Sequence, residues 1–320
     1  MRFGYFLSTE EFTPSELVEQ ARLAEEVGFD SLWISDHYHP WNDNQGQSPF
    51  VWSVIGAISH VCNLPVTTAV TCPTVRTHPA VIAQAAATIA VMLEGKFTLG
   101  LGSGEALNEH ILGDAWPAAD VRLAMLAEAV EVIRALWSGE TLTHSGPFYT
   151  VDTARLYTLP DEPPPIYVSG FGPKATDLAA EIGDGYITTS PDADLLQRFK
   201  KGSGGKPAQA GFKVCYAPTE DEAVDIAHRL WANAGVPGEL AQVLPSPRHF
   251  EQVSDLVTKE MTRESSVCGP DEERHVDAFT PFLDAGFDEV YVSNMGPNYE
   301  AMLRVYGDKV LPALRADNGA

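Results

Sequence analysis

Phe97-Thr98-Leu99-Gly100-Leu101-Gly102-Ser103-Gly104-Glu105 is the stretch on which the fold turns. Its first five residues are a short apolar run of the kind that forms a strand buried on both faces. The glycines at 102 and 104 stop that run and let the backbone turn sharply, and a carboxylate, Glu105, stands immediately beyond. An apolar strand, a glycine turn and then a reactive side chain is the pattern of a parallel α/β sheet, whose chemistry gathers at the carboxyl ends of the strands.

The same rhythm extends in both directions. Upstream, Arg2–Leu7 reads as a strand, and Pro14–Glu26 as a helix with Leu17, Val18, Ala21, Leu23 and Ala24 among charged positions. Residues 31–35 and 65–71 read as strands, 49–61 as a helix, and 80–90 as a helix of small residues suited to close packing on a sheet. Downstream come a long amphipathic helix over 120–137 and a hairpin over 139–160, turning at His144-Ser145-Gly146-Pro147. Strands at 166–170, 185–190, 212–216 and 289–293 then alternate with helices at Pro173–Ile182, 192–200, Glu220–Trp231 and 271–284, before a last helix over 298–315. The glycine-rich 201–211 reads as a flexible loop. Residues 235–270, with Pro237, Pro245, Pro247 and Pro270, read as an excursion with one helix at 249–260. Eight strands separated by helices predict one α/β domain over 1–320, a (β/α)8 TIM barrel with insertions near 105–119, 139–160 and 235–270. An open doubly wound sheet is the alternative arrangement of the same elements.

The chain has 320 residues, 44% of them hydrophobic, enough for a sizeable core. Its formal charge of -23 would repel a nucleic-acid backbone or an anionic membrane, so neither is expected as a partner. Cys62, Cys72, Cys215 and Cys268 are widely separated and form no CxxC, which suggests free thiols rather than a zinc cage or a disulfide framework. With no signal-peptide pattern and no apolar run long enough to span a bilayer, a cytoplasmic location is expected.

Two clusters carry candidate chemistry. Asp36-His37-Tyr38-His39-Pro40-Trp41 follows the second strand. There His37 can exchange a proton near neutrality, Asp36 can orient the imidazole, and Trp41 offers an apolar face to a ring. Gly102-Ser103-Gly104-Glu105-Ala106-Leu107-Asn108-Glu109 follows the fourth strand, where the glycines admit close backbone approach and Glu105 stands at the same mouth. The spacing lacks the third glycine of GxGxxG, so it is no dinucleotide fingerprint. With no HExxH and no GxSxG elbow, hydrolysis has no specific support. Adjacent residues such as Asp36, His37 and His39 seldom converge on one ion, so no metal is expected. Trp52, Trp137 and Trp231 read as packing residues on helices, whereas Trp116, in the loop below the Glu105 cluster, is a candidate for the pocket wall.

Read together, these two clusters resemble the luciferase-like oxidoreductases that use the deazaflavin F420, and more narrowly their F420-dependent glucose-6-phosphate dehydrogenase branch. The resemblance also covers Ser8-Thr9-Glu10-Glu11-Phe12, Cys72-Pro73-Thr74-Val75-Arg76-Thr77-His78-Pro79, Leu136-Trp137-Ser138-Gly139 and Gly183-Asp184-Gly185-Tyr186. It implies a barrel of the bacterial luciferase type that holds coenzyme F420. In it His37 would be the base that takes a substrate hydroxyl proton, Glu105 the acid that protonates the deazaflavin, and Trp41 a wall of the reaction site. Asp36, Cys72, Gly102, Ser103, Gly104, Asn108, Ser169, Gly170 and Gly172 would contact the cofactor, with a cis peptide at Ala69-Val70 beneath its ring. Glu10, Trp41 and Arg263 would face the substrate. The resemblance also implies a homodimer and a hydroxyl-bearing substrate, a sugar 6-phosphate in that branch. Asp192, however, stands where the branch has a phosphate-binding lysine, and 245–256 offers no second one. A clamp would then need Lys200, Lys201 or Arg248. An F420H2-dependent reductase and an FMN-dependent luciferase-like monooxygenase are the alternatives on the same barrel.

Overall fold

Eight parallel strands close on themselves in chain order. They are β1 (Arg2–Leu7), β2 (Ser31–Ile34), β3 (Val66–Thr68), β4 (Phe97–Leu101), β5 (Ile166–Ser169), β6 (Gly185–Thr188), β7 (Ala208–Cys215) and β8 (Glu289–Asn294). Each pairs with its neighbour, β8 returns to β1, and β6 pairs with β7 to complete the ring, so the sheet is a barrel and not an open doubly wound sheet. This computed structural model describes residues 1–317 apart from Pro237; that proline and the last three residues of the expected 1–320 domain lie outside the described residues.

Inside the barrel, Phe6, Trp33, Tyr167, Ile187 and Tyr291 form their own cluster, with Ala69 and Val70 packed against it. The Trp33 and Tyr291 rings stack with centroids 4.4 Å apart, and the Trp33 indole N–H donates to Gln209 at 2.8 Å. Rings this large fit because the facing strands carry glycines: a Cβ on Gly211 would lie 2.5 Å from the Trp33 ring, and one on Gly4 would strike Tyr291. The larger core lies between the strands and the surrounding helices. Pro14–Glu26 starts with a Thr13/Glu16 capping box and turns Leu17, Ala21 and Ala24 inward. Pro79–Met92 buries Ile82, Ala83, Ala86, Ala87 and Ala90.

The differences from the sequence expectation have local causes. The seventh strand begins at Ala208, not 212, and 201–203 complete the helix Ala193–Ser203, so the supposed loop shrinks to a turn. The small residues of Ala208-Gln209-Ala210-Gly211 read as flexible, yet they are what an interior filled by Trp33 requires. Strand β3 stops at Thr68 instead of 71. The expected helix over 271–284 is two, Glu272–Asp277 and Thr280–Ala285, divided where Pro281 opens the second. The expected helix at 249–260 breaks into Pro247–Ser254 and Lys259–Ser265, because Thr258 caps a new start. Val267–Cys268 then adds a short parallel strand to β7. Among the described residues no helix is long and apolar enough to cross a membrane, and all four cysteines are buried free thiols.

Candidate active site

Beyond Ile34 the chain carries Ser35, Asp36 and His37 into the barrel mouth. The loop that follows is pinned at several points: Ser48 Oγ donates to the His37 carbonyl at 2.8 Å, the Trp41 N–H donates to Gln45 Oε1 at 2.8 Å, and Asn42 and Gln45 both donate to the Leu230 carbonyl. His37 is thereby held with Nε2 3.5 Å from Glu10 Oε1, both side chains being largely buried. Glu10 enters from the loop after β1. Its other oxygen accepts from Ser8 Oγ at 2.9 Å and Ser35 Oγ at 2.7 Å, which leaves Oε1 facing the imidazole. Burial pushes the Glu10 carboxyl up, but His37, Lys213 and the Ser35 hydroxyl outweigh it and hold the group below the usual carboxylate range. The Trp41 ring lies 5.1 Å from that of His37 and meets Phe250 edge-on at 5.0 Å, so the 247–254 helix backs this wall.

Asn108 joins this half of the site to the other. Its Oδ1 accepts from the Tyr38 and His39 N–H groups at 2.9 and 3.1 Å, which fixes the amide's orientation. Its Nδ2 consequently faces His37 Nδ1 at 3.1 Å and Glu105 Oε2 at 3.4 Å. The candidate base and the candidate acid thus stand on either side of one amide. Glu105 precedes the helix Ala106–Glu109 and contributes no side-chain cap to it.

Asp36 does not orient His37. Its oxygens accept instead from Thr71 Oγ1 at 2.8 Å and Arg76 at 3.1 Å, and Arg76 also pairs with Glu109 at 3.3 Å. The pairing closes over 33 residues of chain, so neither Arg76 nor Glu109 stands out in the sequence as part of the site, although both lie in the quoted motifs. Burial pushes the Glu109 carboxyl up against the pull of Arg76. Since His39 turns its Nδ1 to the Leu107 carbonyl, Asp36, His37 and His39 diverge, and no metal-holding cluster is found among the described residues. Lys213, part-buried on β7, has one signal in the sequence, a lysine within an apolar strand.

Next to these groups the backbone forms a cradle. The Ala69-Val70 peptide is cis, and both residues rest on the inner aromatic cluster. Gly102 leaves room for Val70, since a Cβ there would lie 2.6 Å from Val70 Cγ2. Gly104, at φ +78°, carries the chain past Cys72, whose sulfur would be 2.5 Å from an added Cβ; Ser103 lies between the two glycines. Trp116 borders the same turn, and its buried indole N–H has no hydrogen-bond partner among the described residues. Across the mouth, Ser169, Gly170 and Gly172 lead from β5 into Pro173–Ile182, whose N-terminus has no side-chain cap. Two expected substrate contacts behave differently from each other. Glu10 is in the site, whereas the Arg263 guanidinium is engaged by Asp221 at 2.7 Å, Glu220 at 3.4 Å and Glu260 at 3.7 Å. Asp192 caps its own helix by accepting from the Leu195 N–H.

The comparisons with known proteins agree with this architecture. A family model described as luciferase-like monooxygenase matches residues 1–289. An F420-dependent glucose-6-phosphate dehydrogenase of Microbacterium testaceum (strain StLB037) is 37% identical over 98% of this chain and 98% of its own length. One of Nakamurella multipartita is also 37% identical, over 99% of this chain and 97% of its own length. Among solved structures, an F420-dependent secondary alcohol dehydrogenase in complex with an F420-acetone adduct superposes with a TM-score of 0.91 at 33% identity, covering 98% of this chain and 99% of that one. The tetrahydromethanopterin reductase of Methanopyrus kandleri shares the fold at a TM-score of 0.75 and 20% identity, covering 98% of this chain and 99% of that one. With a family model spanning most of its length and relatives similar from end to end, this chain belongs to the luciferase-like family.

Proposed function

We propose that this protein is an F420-dependent oxidoreductase that removes hydride from a hydroxyl-bearing carbon, with an uncharged secondary alcohol as the substrate class favoured over a sugar 6-phosphate. The observation that carries the reading is the His37–Glu10 pair facing Glu105 across Asn108. The residues present fit the cofactor. Ala69 and Val70 form an apolar ledge for a flat ring, Gly102 and Gly104 allow close approach, and the uncapped N-terminus beyond Gly172 offers N–H groups to a phosphate. Bound F420 supplies the ring atom that accepts hydride.

The chain's own residues manage the protons. With Nδ1–H donated to the His39 carbonyl at 3.2 Å, His37 Nε2 is free to take the hydroxyl proton as the carbonyl forms, and the Glu10 carboxylate at 3.5 Å stabilises the resulting imidazolium. Glu105 would deliver a proton to the ring, Asp36 stays paired with Arg76 at the ring region, and Trp41 closes the wall against water. The substrate preference rests on charge. Arg263 is occupied by three carboxylates, Asp192 replaces a cation, and Lys200 pairs with Asp288 at the opposite end of the barrel, just before β8. The relative solved with an acetone adduct supports the same preference. We further propose a homodimer in the cytoplasm, paired through the uncharged outer faces of the helices Val51–Ile58 and Pro79–Met92.

His37→Ala should lower alcohol-dependent F420 reduction by roughly 100-fold or more, while F420H2-driven reduction of an activated alkene falls much less. Full alcohol oxidation by that variant would sink the assignment of the base. A substrate panel of sugar phosphates, free sugars and secondary alcohols tests the charge argument, which equal rates with sugar 6-phosphates would overturn. Stoichiometric retention of FMN without affinity for F420 would favour the monooxygenase instead.

A further inference from the structure

Lys213 lies on β7 at the floor of the mouth, and nothing in the proton transfers above uses it. Its ammonium is held between two aromatic faces, 4.4 Å from the Phe6 ring centroid and 4.0 Å from that of Trp231. It donates to Ser8 Oγ at 3.4 Å, and Ser8 Oγ donates in turn to Glu10 Oε2 at 2.9 Å. A single hydroxyl therefore links the ammonium to the carboxylate that faces His37. The charged and titratable groups around Glu10 are His37 from the loop after β2, Lys213 from β7 and Glu11 beside it.

We propose that Lys213 is a positioning residue for proton abstraction: through Ser8 it holds the Glu10 carboxylate as the charge partner of His37, and so supports the imidazolium formed when Nε2 takes the hydroxyl proton. The inference rests on the assignment of His37 as base made above. Burial favours the protonated carboxyl, and His37 and Lys213 are the two charges that hold Glu10 down; without Lys213 the carboxyl keeps its proton to higher pH, and a neutral Glu10 cannot offset a charge on His37. Glu11 does not replace Glu10 as the counter-ion, since burial pushes it up to about 7 in spite of Lys213. The proton balance is simple: the substrate O–H proton goes to His37 Nε2, hydride leaves for F420, and Glu10 and Lys213 exchange nothing.

The test is the pH profile of alcohol-dependent F420 reduction for wild type, Glu10→Gln, Lys213→Met and the double variant, with F420 affinity measured separately and His37→Ala as control. At pH 7 both single variants should lose roughly 30- to 100-fold in kcat, with F420 affinity changed less than about twofold. Relative to wild type at each pH, Lys213→Met should recover to within about threefold by pH ~9, as the unsupported Glu10 finally ionises, whereas Glu10→Gln should not recover. The double variant should match Glu10→Gln alone, because both changes act on one carboxylate. Lys213→Gln must show the same recovery, which keeps the test decisive if the methionine variant does not fold. A loss that is independent of pH, losses that multiply in the double variant, or wild-type activity at pH 7 would overturn the proposal. If His37→Ala retains full oxidation, the base assignment itself fails; if that variant is inactive while Lys213→Met shows no pH rescue, only the role of Lys213 fails.

Discussion

Glu10 and Glu11 are neighbours in sequence, share Lys213, and are driven towards opposite charge states. Glu10 has two serine hydroxyls and His37. Glu11 accepts N–H bonds from Trp231 and Gly296, yet burial outweighs them and raises it to about 7 from an ordinary 4.5. Because the folded value lies above the ordinary one, the fold favours the protonated form. That contribution to stability is complete below pH ~4.5 and is lost as pH rises through about 7. Glu11→Gln, whatever its offset, should therefore show a shallower fall in Tm between pH ~5 and ~8 than the wild type. Parallel curves would mean that Glu11 does not titrate in this window. The same pair shows where sequence reading ran short. In sequence the neighbour of His37 is Asp36, but successive side chains of an extended segment point to opposite sides, and Asp36 turns to Thr71 and Arg76. The true partner comes from residue 10, a distance that only folding closes.

At the level of elements, legibility followed the strength of the local pattern. Phe97–Leu101 and Pro14–Glu26 formed as expected because each combines an apolar period with a clear stop or cap. Ala208–Cys215 began earlier than expected because its first residues are chosen by the ring opposite and not by strand propensity. The hairpin of Leu142–Ser145 and Thr150–Ala154 was legible, but its purpose was not. Tyr149, at its turn, donates to the Pro73 and Thr74 carbonyls, both at 3.1 Å, and so holds the segment that carries Cys72 and Arg76. Glu128 anchors the turn from the long helix Ala119–Trp137, accepting from the Phe148 and Tyr149 N–H groups and pairing with His144 at 3.0 Å. Burial opposes its ionisation, but His144 and the two N–H groups hold its carboxyl below the usual range. Tyr149→Phe should cost about 1 kcal/mol of stability, and Glu128→Ala about 2 kcal/mol, since it strands the buried Tyr149 N–H and frees the part-buried Phe148 N–H. Tyr149→Phe should also weaken F420 binding by about fivefold, if most of that 1 kcal/mol is felt at the loop. Thermal unfolding and an F420 titration check both; unchanged F420 affinity would make the hairpin a stabilising device alone.

Over the whole molecule, a net charge of -23 sets the terms on which two copies can meet, because like-charged surfaces repel unless the contact face is neutral. One face meets that condition. The helices Val51–Ile58 and Pro79–Met92 carry no charged residue, and exposed Val81 and Met92, with Phe50 at the start of the first helix, border a groove that Trp52 and Ala85 help to line. The barrel mouth lies at the strand ends, so pairing through the outer surfaces of these helices leaves it open. A carboxylate buried unpaired at such an interface costs several kcal/mol, enough to dissociate a dimer at micromolar concentration. Analytical ultracentrifugation should accordingly find the wild type at twice the 34.7 kDa chain mass and Val81→Asp at the monomer mass. Val121→Asp, a control on an exposed apolar residue of the long helix Ala119–Trp137, should remain dimeric. A dimeric Val81→Asp, or a monomeric wild type, would show that the uncharged face serves some contact other than self-association, and loss of the dimer in the control alone would move the interface to the long helix.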